Sequence, residues 1–283
     1  MRAITNDENI GKVINNPRPG KKYEIPVIVK MQTGVTNKFG SSPSYARKVR
    51  SDIDGVGIEE LTQKYGSPLF VFSEKRLRNR YREMYSAFSN CYPNVTFGWS
   101  YKTNYLPAVC SVYHQEGAIA EVVSEMEYEK ARNLGMPGDK IIYNGPCKRR
   151  NSLKRAIQEG AMINIDHFDE LYELESIADE LKQQVKIGIR LNLDAGIQPQ
   201  WSRFGFNLET GQAMDAVQRM ADTGKVILQG LHCHIGTYIL DPAAYGKQVE
   251  KMVRFAYRVE AAFGFKMDYL DIGGGFPSKS KLK

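Results

Sequence analysis

Apolar and polar positions along this chain follow two alternating spacings from residue 58 onward. Short, mostly apolar runs have the length of β-strands, and the segments between them carry apolar residues every three or four positions, the spacing of one helix face. Strands are predicted at 95–101, 118–123, 141–143, 162–165, 185–193, 226–235 and 269–272, with a further strand-like run at 69–72. Helices are predicted at 58–65, 73–89, 106–115, 124–134, 152–158, 168–183, 208–223 and 242–263.

Strands that alternate with helices in this way form βαβ units, which build parallel sheets. Two closures are common, an open doubly wound sheet and a (β/α)8 barrel. A barrel of only seven parallel strands would have a seam of unpaired backbone groups, which is a costly arrangement. We therefore expect that the chain is incomplete, that a partner supplies the missing strand, or that the sheet is open. The segment 278–283 has the composition of an interrupted loop.

The N-terminal region differs from the rest of the chain. Its periodicity is weak, and it contains one predicted strand at 23–31, where Pro26 suggests a sheet edge. The formal net charge of the chain is +7, and the whole excess of Lys and Arg lies in residues 1–50. We expect 1–54 to be an arm, either solvated or docked, and 55–283 to be the barrel domain. Nucleic-acid binding is not expected, because basic residues are not spread over the folded part.

Composition excludes several other classes of protein. Hydrophobic residues make up 42% and charged residues 25%, which is ordinary for a globular protein. No run approaches the roughly 20 apolar residues of a membrane span, and the N-terminus lacks the apolar stretch of a secretory signal. Four cysteines without C-x-x-C spacing argue against a disulfide scaffold and a structural zinc site. We expect a cytoplasmic protein with no membrane partner.

The first strand of the barrel region carries a lysine at its carboxyl end. Its large apolar residues share one parity, so they are expected to pack under the helices, and the small or polar residues are expected to face the interior. Lys102 belongs to the second set and follows the strand, where it would point into the barrel mouth. A lysine held there can become nucleophilic toward an aldehyde. The alternative is an exposed lysine at a strand end.

The last two strands end in a histidine pair and a glycine run. His232 and His234 share one parity, and the pair is interpreted as metal ligands, as core histidines, or as histidines that stack on a ring or handle a proton. Zinc needs a third ligand, and only two other histidines exist. The turn Gly273, Gly274 and Gly275 lets backbone amides converge on an anion, to which Thr237 could add a hydroxyl. Its spacing matches neither nucleotide-binding glycine motif.

Two further strands carry a charge in an apolar setting. Glu121 lies in the second strand and Arg190 in the fifth, and each alone could be half of a structural ion pair. Together with Lys102, a histidine and the glycine turn, these groups are what pyridoxal 5′-phosphate needs. That cofactor has an aldehyde, a flat ring and a phosphate dianion.

In these motifs the chain resembles the fold-type III, pyridoxal-phosphate-dependent amino-acid decarboxylases, within the diaminopimelate/ornithine decarboxylase family, most like the diaminopimelate branch of lysine biosynthesis. The motifs occur in the family's order from about residue 55 onward, and each is short while the ordered set is specific. They are Tyr101-Lys102-Thr103-Asn104, Glu121-Val122-Val123-Ser124, Asn144-Gly145-Pro146, Asn164-Ile165-Asp166, Arg190-Leu191-Asn192, Ser202-Arg203-Phe204-Gly205, His232-Cys233-His234-Ile235-Gly236-Thr237 and Asp271-Ile272-Gly273-Gly274-Gly275.

The resemblance implies a role for each site residue. Lys102 would form the Schiff base and His234 would stack on the pyridine ring, these two being the catalytic residues. Thr237 and Gly273–Gly275 would hold the phosphate, and Arg190 and Arg203 would lie near the ring edge. Glu121 stands where the family usually has Asp, which would place its carboxylate about one methylene deeper. No metal ligand is implied.

The resemblance also implies parts that this sequence lacks. The family's barrel, of the alanine racemase-like kind, continues into an eighth strand with a Glu-Pro-Gly-Arg motif. A C-terminal β-domain follows, which the N-terminal arm would join and which contributes residues across a homodimer interface. We therefore expect about seven barrel strands here, with a homodimer or a second chain supplying the remainder. This chain alone would then be inactive.

The reaction implied is decarboxylation of a diaminopimelate-like or other basic amino acid. One alternative is a racemase or epimerase on the same cofactor and fold. Another is a catalytically silent, pyridoxal-phosphate-binding regulatory homologue. An open-sheet nucleotide binder is disfavoured, because no nucleotide-binding motif is present.

Overall fold

Seven parallel strands form the main sheet of the computed structural model, which describes residues 51–197 and 200–277. Residues 1–50 of the predicted arm at 1–54, its edge strand at 23–31 and the loop at 278–283 lie outside the described residues. In chain order the strands are β1 (Asp52–Ile53), β2 (Val56–Gly57), β3 (Gly98–Ser100), β4 (Ile119–Val122), β5 (Ile141–Tyr143), β6 (Met162–Ile165), β7 (Val185–Asn192), β8 (Phe206–Asn207), β9 (Val226–Cys233) and β10 (Tyr269–Asp271).

Two helices precede β3, and the others lie between successive strands of the main sheet. The helices are α1 (Ile58–Tyr65), α2 (Glu74–Ser89), α3 (Pro107–Gln115), α4 (Glu125–Asn133), α5 (Arg150–Gln158), α6 (Phe168–Leu181), α7 (Gln212–Thr223) and α8 (Pro242–Phe263), with a short 3-10 turn at Gly138–Lys140. Side-chain caps mark where several of them begin: Ser73, Ser124 and Asp241 each accept a hydrogen bond from a backbone amide of the first turn. Among the described helices, none has the length and apolar character that a membrane crossing requires.

The sheet order is β10-β9-β7-β6-β5-β4-β3, with β8 paired to β7 outside this path, and all these pairs are parallel. Each of the seven predicted strands is present, shortened at most by a few residues at its ends, and so are the eight predicted helices. The two ends of the path, β3 and β10, are sheet edges within the described part of the chain. This is the predicted incomplete (β/α)8 barrel.

The predicted strand at 69–72 is wrong, because no strand is formed there. Its four residues are exposed, Phe70 to 89%. A strand requires backbone partners, and the apolar pattern of a segment cannot reveal whether any are within reach. The hairpin β1–β2 and strand β8 were not predicted, since two-residue strands leave almost no period to detect.

A hydrogen bond between two strands that are not neighbours shows that the sheet curves. Tyr269 Oη on β10 donates to Asn164 Oδ1 on β6 at 2.7 Å. Neighbouring strands lie about 4.8 Å apart, so a flat sheet would hold these strands roughly 14 Å apart. Gly188 and Gly230, on the strands between them, make room for the tyrosine, because a Cβ at either position would overlap its ring or hydroxyl. The concave face is therefore the barrel interior.

Strand β3 has the predicted division of its two faces. Trp99 stacks on Tyr113 of α3 at 3.8 Å between ring centroids. Tyr101, just after the strand, is fully buried and its hydroxyl lies 2.8 Å from His114 Nε2 of the same helix. On the other face, a Cβ at Gly98 would meet Glu121 at 3.3 Å. The large residues therefore face the helices, and the small residues face the interior.

Candidate functional site

The glycine turn after β10 is held against the histidine loop after β9. Gly274 N–H donates to His234 Nδ1 at 3.3 Å. Gly273 has a φ of +70° and a Cβ there would lie 2.8 Å from Cys233 O. Gly275 has a φ of +86° and its Cβ would overlap Gly236 O. A Cβ at Gly274 would meet nothing within 4 Å. The outer two glycines are thus required by backbone conformation and close packing, and the middle one faces open space.

His234 is a neutral imidazole held in one orientation. Burial lowers its pKa to about 4, assisted by the positive charges of Lys102 and Arg190. Because Nδ1 accepts the Gly274 amide hydrogen, the ring proton belongs on Nε2. The edge of the Trp201 ring packs on the same imidazole, with centroids 6.3 Å apart. A neutral, fixed ring of this kind is suited to lie against a flat heteroaromatic ring.

Lys102 is exposed to solvent at the mouth of the partial barrel. Its positive charge helps burial to lower the pKa of His234, and it opposes the burial that raises the pKa of Glu127. The turn that carries it is fixed: Trp99 Nε1 donates to Asn104 O at 3.0 Å, and Thr103 Oγ1 donates to Ser100 O at 2.7 Å. Hydrogen bonds therefore hold the turn, and the Lys102 side chain extends from it into an exposed position.

Arg190 reaches the same mouth from β7. Its side chain is 11% exposed, and its guanidinium nitrogen Nη1 lies 3.5 Å from Asp166 Oδ1. The guanidinium carbon lies over the Phe204 ring, 4.9 Å from the ring centroid. Burial lowers its pKa, while the charges of Asp166 and Glu121 act in the opposite direction. Arg190 thus presents a buried positive charge beside His234.

Glu121 begins a hydrogen-bonded chain across the interior. Its Oε1 accepts from Asn144 Nδ2 at 3.0 Å, Asn144 Oδ1 accepts from Asn164 Nδ2 at 2.8 Å, and Asn164 accepts from Tyr269. Asp271 lies two residues after Tyr269. Its Oδ1 accepts a hydrogen bond from Gly273 N–H at 2.8 Å, and its Oδ2 lies 2.9 Å from His232 Nδ1. Although burial by itself would raise it, the imidazole holds the pKa of Asp271 below its usual range. These groups form a polar floor under the glycine turn.

A buried ion pair that the sequence reasoning missed supports Asp166. Lys148 Nζ has no exposure and donates to Glu170 Oε1 at 2.8 Å and to Gly145 O at 2.5 Å. Glu170 Oε2 accepts the backbone amide of Asp166 at 2.8 Å. The available signal was weak: a lysine two residues after the Asn-Gly-Pro motif and a glutamate in the first turn of α6.

Arg203 and Thr237 lie at the exposed rim. The Arg203 guanidinium covers the Trp201 ring at 5.8 Å, one ring removed from His234. Thr237 follows Gly236, which packs on the glycine turn. The structure therefore brings Lys102, Glu121, Arg190, His234 and the glycine turn together, with the other two at their border. In the described ranges, no group of three or more His, Cys, Asp and Glu side chains is arranged to hold a metal ion.

This set of groups fits a phosphorylated aromatic aldehyde. The turn at Gly273–Gly275 leaves open space at Gly274, where a Cβ would meet nothing within 4 Å, while its outer glycines pack against the loop after β9. Lys102 and Arg190 supply positive charge, and a neutral imidazole supplies a ring face. Each is a group that such a cofactor requires of its protein.

Comparison with known proteins gives consistent results. Residues 76–282 match the family model described as pyridoxal-dependent decarboxylase, pyridoxal binding domain. Diaminopimelate decarboxylase of Aquifex aeolicus (strain VF5) is 33% identical over 238 residues, which are 81% of this chain and 55% of the relative. The chain spans about half the length of the curated relatives it matches.

Solved structures with the same fold include two amino-acid decarboxylases. Diaminopimelate decarboxylase of Methanocaldococcus jannaschii, in co-complex with L-lysine, has a TM-score of 0.73 and 28% identity, and the match covers 82% of this chain and 57% of that one. Lysine/ornithine decarboxylase of Vibrio vulnificus, complexed with putrescine, has a TM-score of 0.65 and 26% identity. That match covers 78% of this chain and 56% of the decarboxylase chain.

Proposed function

The chain belongs to the pyridoxal-dependent decarboxylases, and on that premise we propose that it binds pyridoxal 5′-phosphate at the barrel mouth and forms the cofactor-binding part of an amino-acid decarboxylase. Family, fold and cofactor agree with the sequence prediction. The observation that carries the proposal is the packing of the glycine turn against His234, with the Lys102 and Arg190 charges both acting on that imidazole.

In this proposal each group has one task. Lys102 would hold the cofactor through its amine, which is the group that an aldehyde requires. His234 lies against the ring face, and its neutrality avoids placing a second positive charge beside a protonated pyridine. The glycine turn and Thr237 Oγ1 would hold the phosphate, while Arg190 and Arg203 would lie near the ring edge. When bound, pyridoxal 5′-phosphate supplies an electron-withdrawing ring that accepts the electron pair left as CO2 departs.

The substrate class follows from the relatives. Those named by the comparisons are diaminopimelate decarboxylases and a lysine/ornithine decarboxylase, so we propose a diamino acid, with meso-diaminopimelate first. All of these relatives are decarboxylases, and the racemase and silent-homologue alternatives gain no support from them.

We also propose that further protein completes the site. Strand β3 and strand β10 present unpaired edges within the described residues, and Leu69–Phe72 exposes four consecutive apolar residues. An eighth strand would pair with both edges, and a β-domain, joined by the arm at 1–54, would cover the apolar segment. The proposal includes a homodimer, or a second chain that supplies this part, in the cytoplasm.

Reductive labelling tests the cofactor site. The protein is incubated with pyridoxal 5′-phosphate, reduced with borohydride, digested and analysed by mass spectrometry. We expect the label on Lys102, its loss in Lys102→Ala, and an unchanged result in the control Lys266→Ala, which removes an exposed lysine. Labelling spread evenly over surface lysines and unaffected by Lys102→Ala would contradict the proposal. Release of CO2 from meso-diaminopimelate, lysine and ornithine then tests the substrate.

A further inference from the structure

Helix α8 buries a glutamine in an otherwise apolar face. The buried residues of this helix are Ala244, Gln248, Met252, Phe255 and Val259. Gln248 has no exposed surface. Burying an amide without hydrogen-bond partners is costly, so its presence in this face requires partners inside the protein.

Those partners are two backbone carbonyls where strands β9 and β10 separate. The last register pair between the two strands is Asp271 with His232. Gln248 Nε2 donates to Cys233 O at 2.8 Å and to Ile272 O at 2.9 Å, the carbonyls of the next residue on each strand. The side-chain amide therefore bridges the strands immediately beyond the end of their hydrogen-bonded ladder.

Both bridged residues lead directly into the candidate site. Cys233 precedes His234, and Ile272 precedes Gly273. The alignment of these two segments sets the 3.3 Å hydrogen bond between Gly274 N and His234 Nδ1 and the close approach of Gly275 to Gly236 O.

From this geometry we infer that Gln248 is a positioning residue: it aligns the ring-face histidine with the phosphate-binding turn so that one cofactor molecule can engage both. The inference rests on the proposed function, because it assumes that pyridoxal 5′-phosphate occupies this site. Gln248 acts through the two backbone segments and does not itself touch the cofactor.

Two variants remove the bridge while keeping the side-chain volume, Gln248→Leu and Gln248→Met. The matched control is Met252→Ala, which perturbs the same buried helix face one turn later and touches neither carbonyl. Cofactor affinity is measured on the full chain by titration with pyridoxal 5′-phosphate, and phosphorus NMR reports the environment of the bound phosphate. Thermal unfolding of the cofactor-free proteins measures the packing defect separately.

We expect the Gln248 variants to weaken cofactor binding by about tenfold or more and to shift the phosphorus signal, since two buried carbonyls lose their donor and the segments they precede are released. Met252→Ala is expected to lower the unfolding temperature while changing affinity less than about twofold, because it leaves the bridge intact. Gln248→Met, the more adaptable of the two side chains, supplies the measurement if Gln248→Leu does not fold.

The outcomes separate this inference from the proposed function. If the unaltered protein does not bind pyridoxal 5′-phosphate, the proposed function fails. If it binds, and the Gln248 variants retain its affinity and phosphorus signal or lose no more affinity than Met252→Ala, the positioning role is overturned while the proposed function stands.

Discussion

Tyr269 and Asn164 lie 105 residues apart in sequence and three strands apart in the sheet, yet the tyrosine hydroxyl donates a 2.7 Å hydrogen bond to the asparagine. Asn164 in turn bonds Asn144, which bonds Glu121. One side chain on the last described strand thereby spans the barrel interior and organises the polar floor of the candidate site.

Gly230→Ala is expected to be strongly destabilising, because the added Cβ would overlap the Tyr269 ring. Overpacking of this kind costs about 1–3 kcal/mol of unfolding free energy, and backbone strand positions have little room to shift. The control is Gly246→Ala in α8, where a Cβ meets nothing within 4 Å. There alanine should be neutral or stabilising by up to about 1 kcal/mol. Urea unfolding checks both, and equal effects would show that Tyr269 does not fill this space.

Lys148→Met is expected to lower the unfolding free energy by about 3–5 kcal/mol, because it leaves the Glu170 carboxylate buried without its ion-pair partner. Lys154→Met removes a lysine paired with Glu180 at a more exposed position and should cost less than about 1 kcal/mol. Adding Glu170→Leu to Lys148→Met should recover part of the loss. No recovery in the double variant would mean that packing, and not the unpaired charge, dominates.

The low pKa of His234, about 4, predicts a pH-dependent stability. An unfolded histidine titrates near 6.5, so between these values the unfolded chain binds more protons than the native one. The free energy of unfolding therefore has its full value, as far as His234 is concerned, above about pH 6.5. It decreases as the pH falls toward 4, by at most about 3 kcal/mol. Unfolding free energies at pH 7 and pH 5 should differ less in His234→Gln than in the unaltered protein. His167→Gln, at the start of α6, serves as the control, and an unchanged slope in His234→Gln would contradict the burial of that imidazole.

Thr237→Ala is expected to weaken pyridoxal 5′-phosphate affinity by about 1–2 kcal/mol, which is the order of magnitude of the net contribution of one hydrogen bond. Thr210→Ala, in an exposed turn before α7, should leave affinity unchanged. Titration of the cofactor measures both. Equal affinities would remove Thr237 from the phosphate site and leave the glycine turn as the proposed phosphate ligand.

The sequence alone predicted the order of strands and helices, since hydrophobic period is a local property that each segment carries within a few residues. It also predicted which face of β3 turns inward, because side chains alternate along a strand whatever its neighbours are. The motifs containing Lys102, His234 and the glycine turn could be found for a similar reason, as each is a short run of adjacent residues.

Only the tertiary structure decided the contacts that join distant segments. Whether Leu69–Phe72 becomes a strand depends on a partner that its own pattern does not describe, and that prediction was wrong for the described residues. Gln248 and Lys148 appear in the sequence as polar residues on helical or loop segments, with nothing to show that each is fully buried. Their partners are set by how strands and helices pack, and the energy of a buried polar group is determined by those partners.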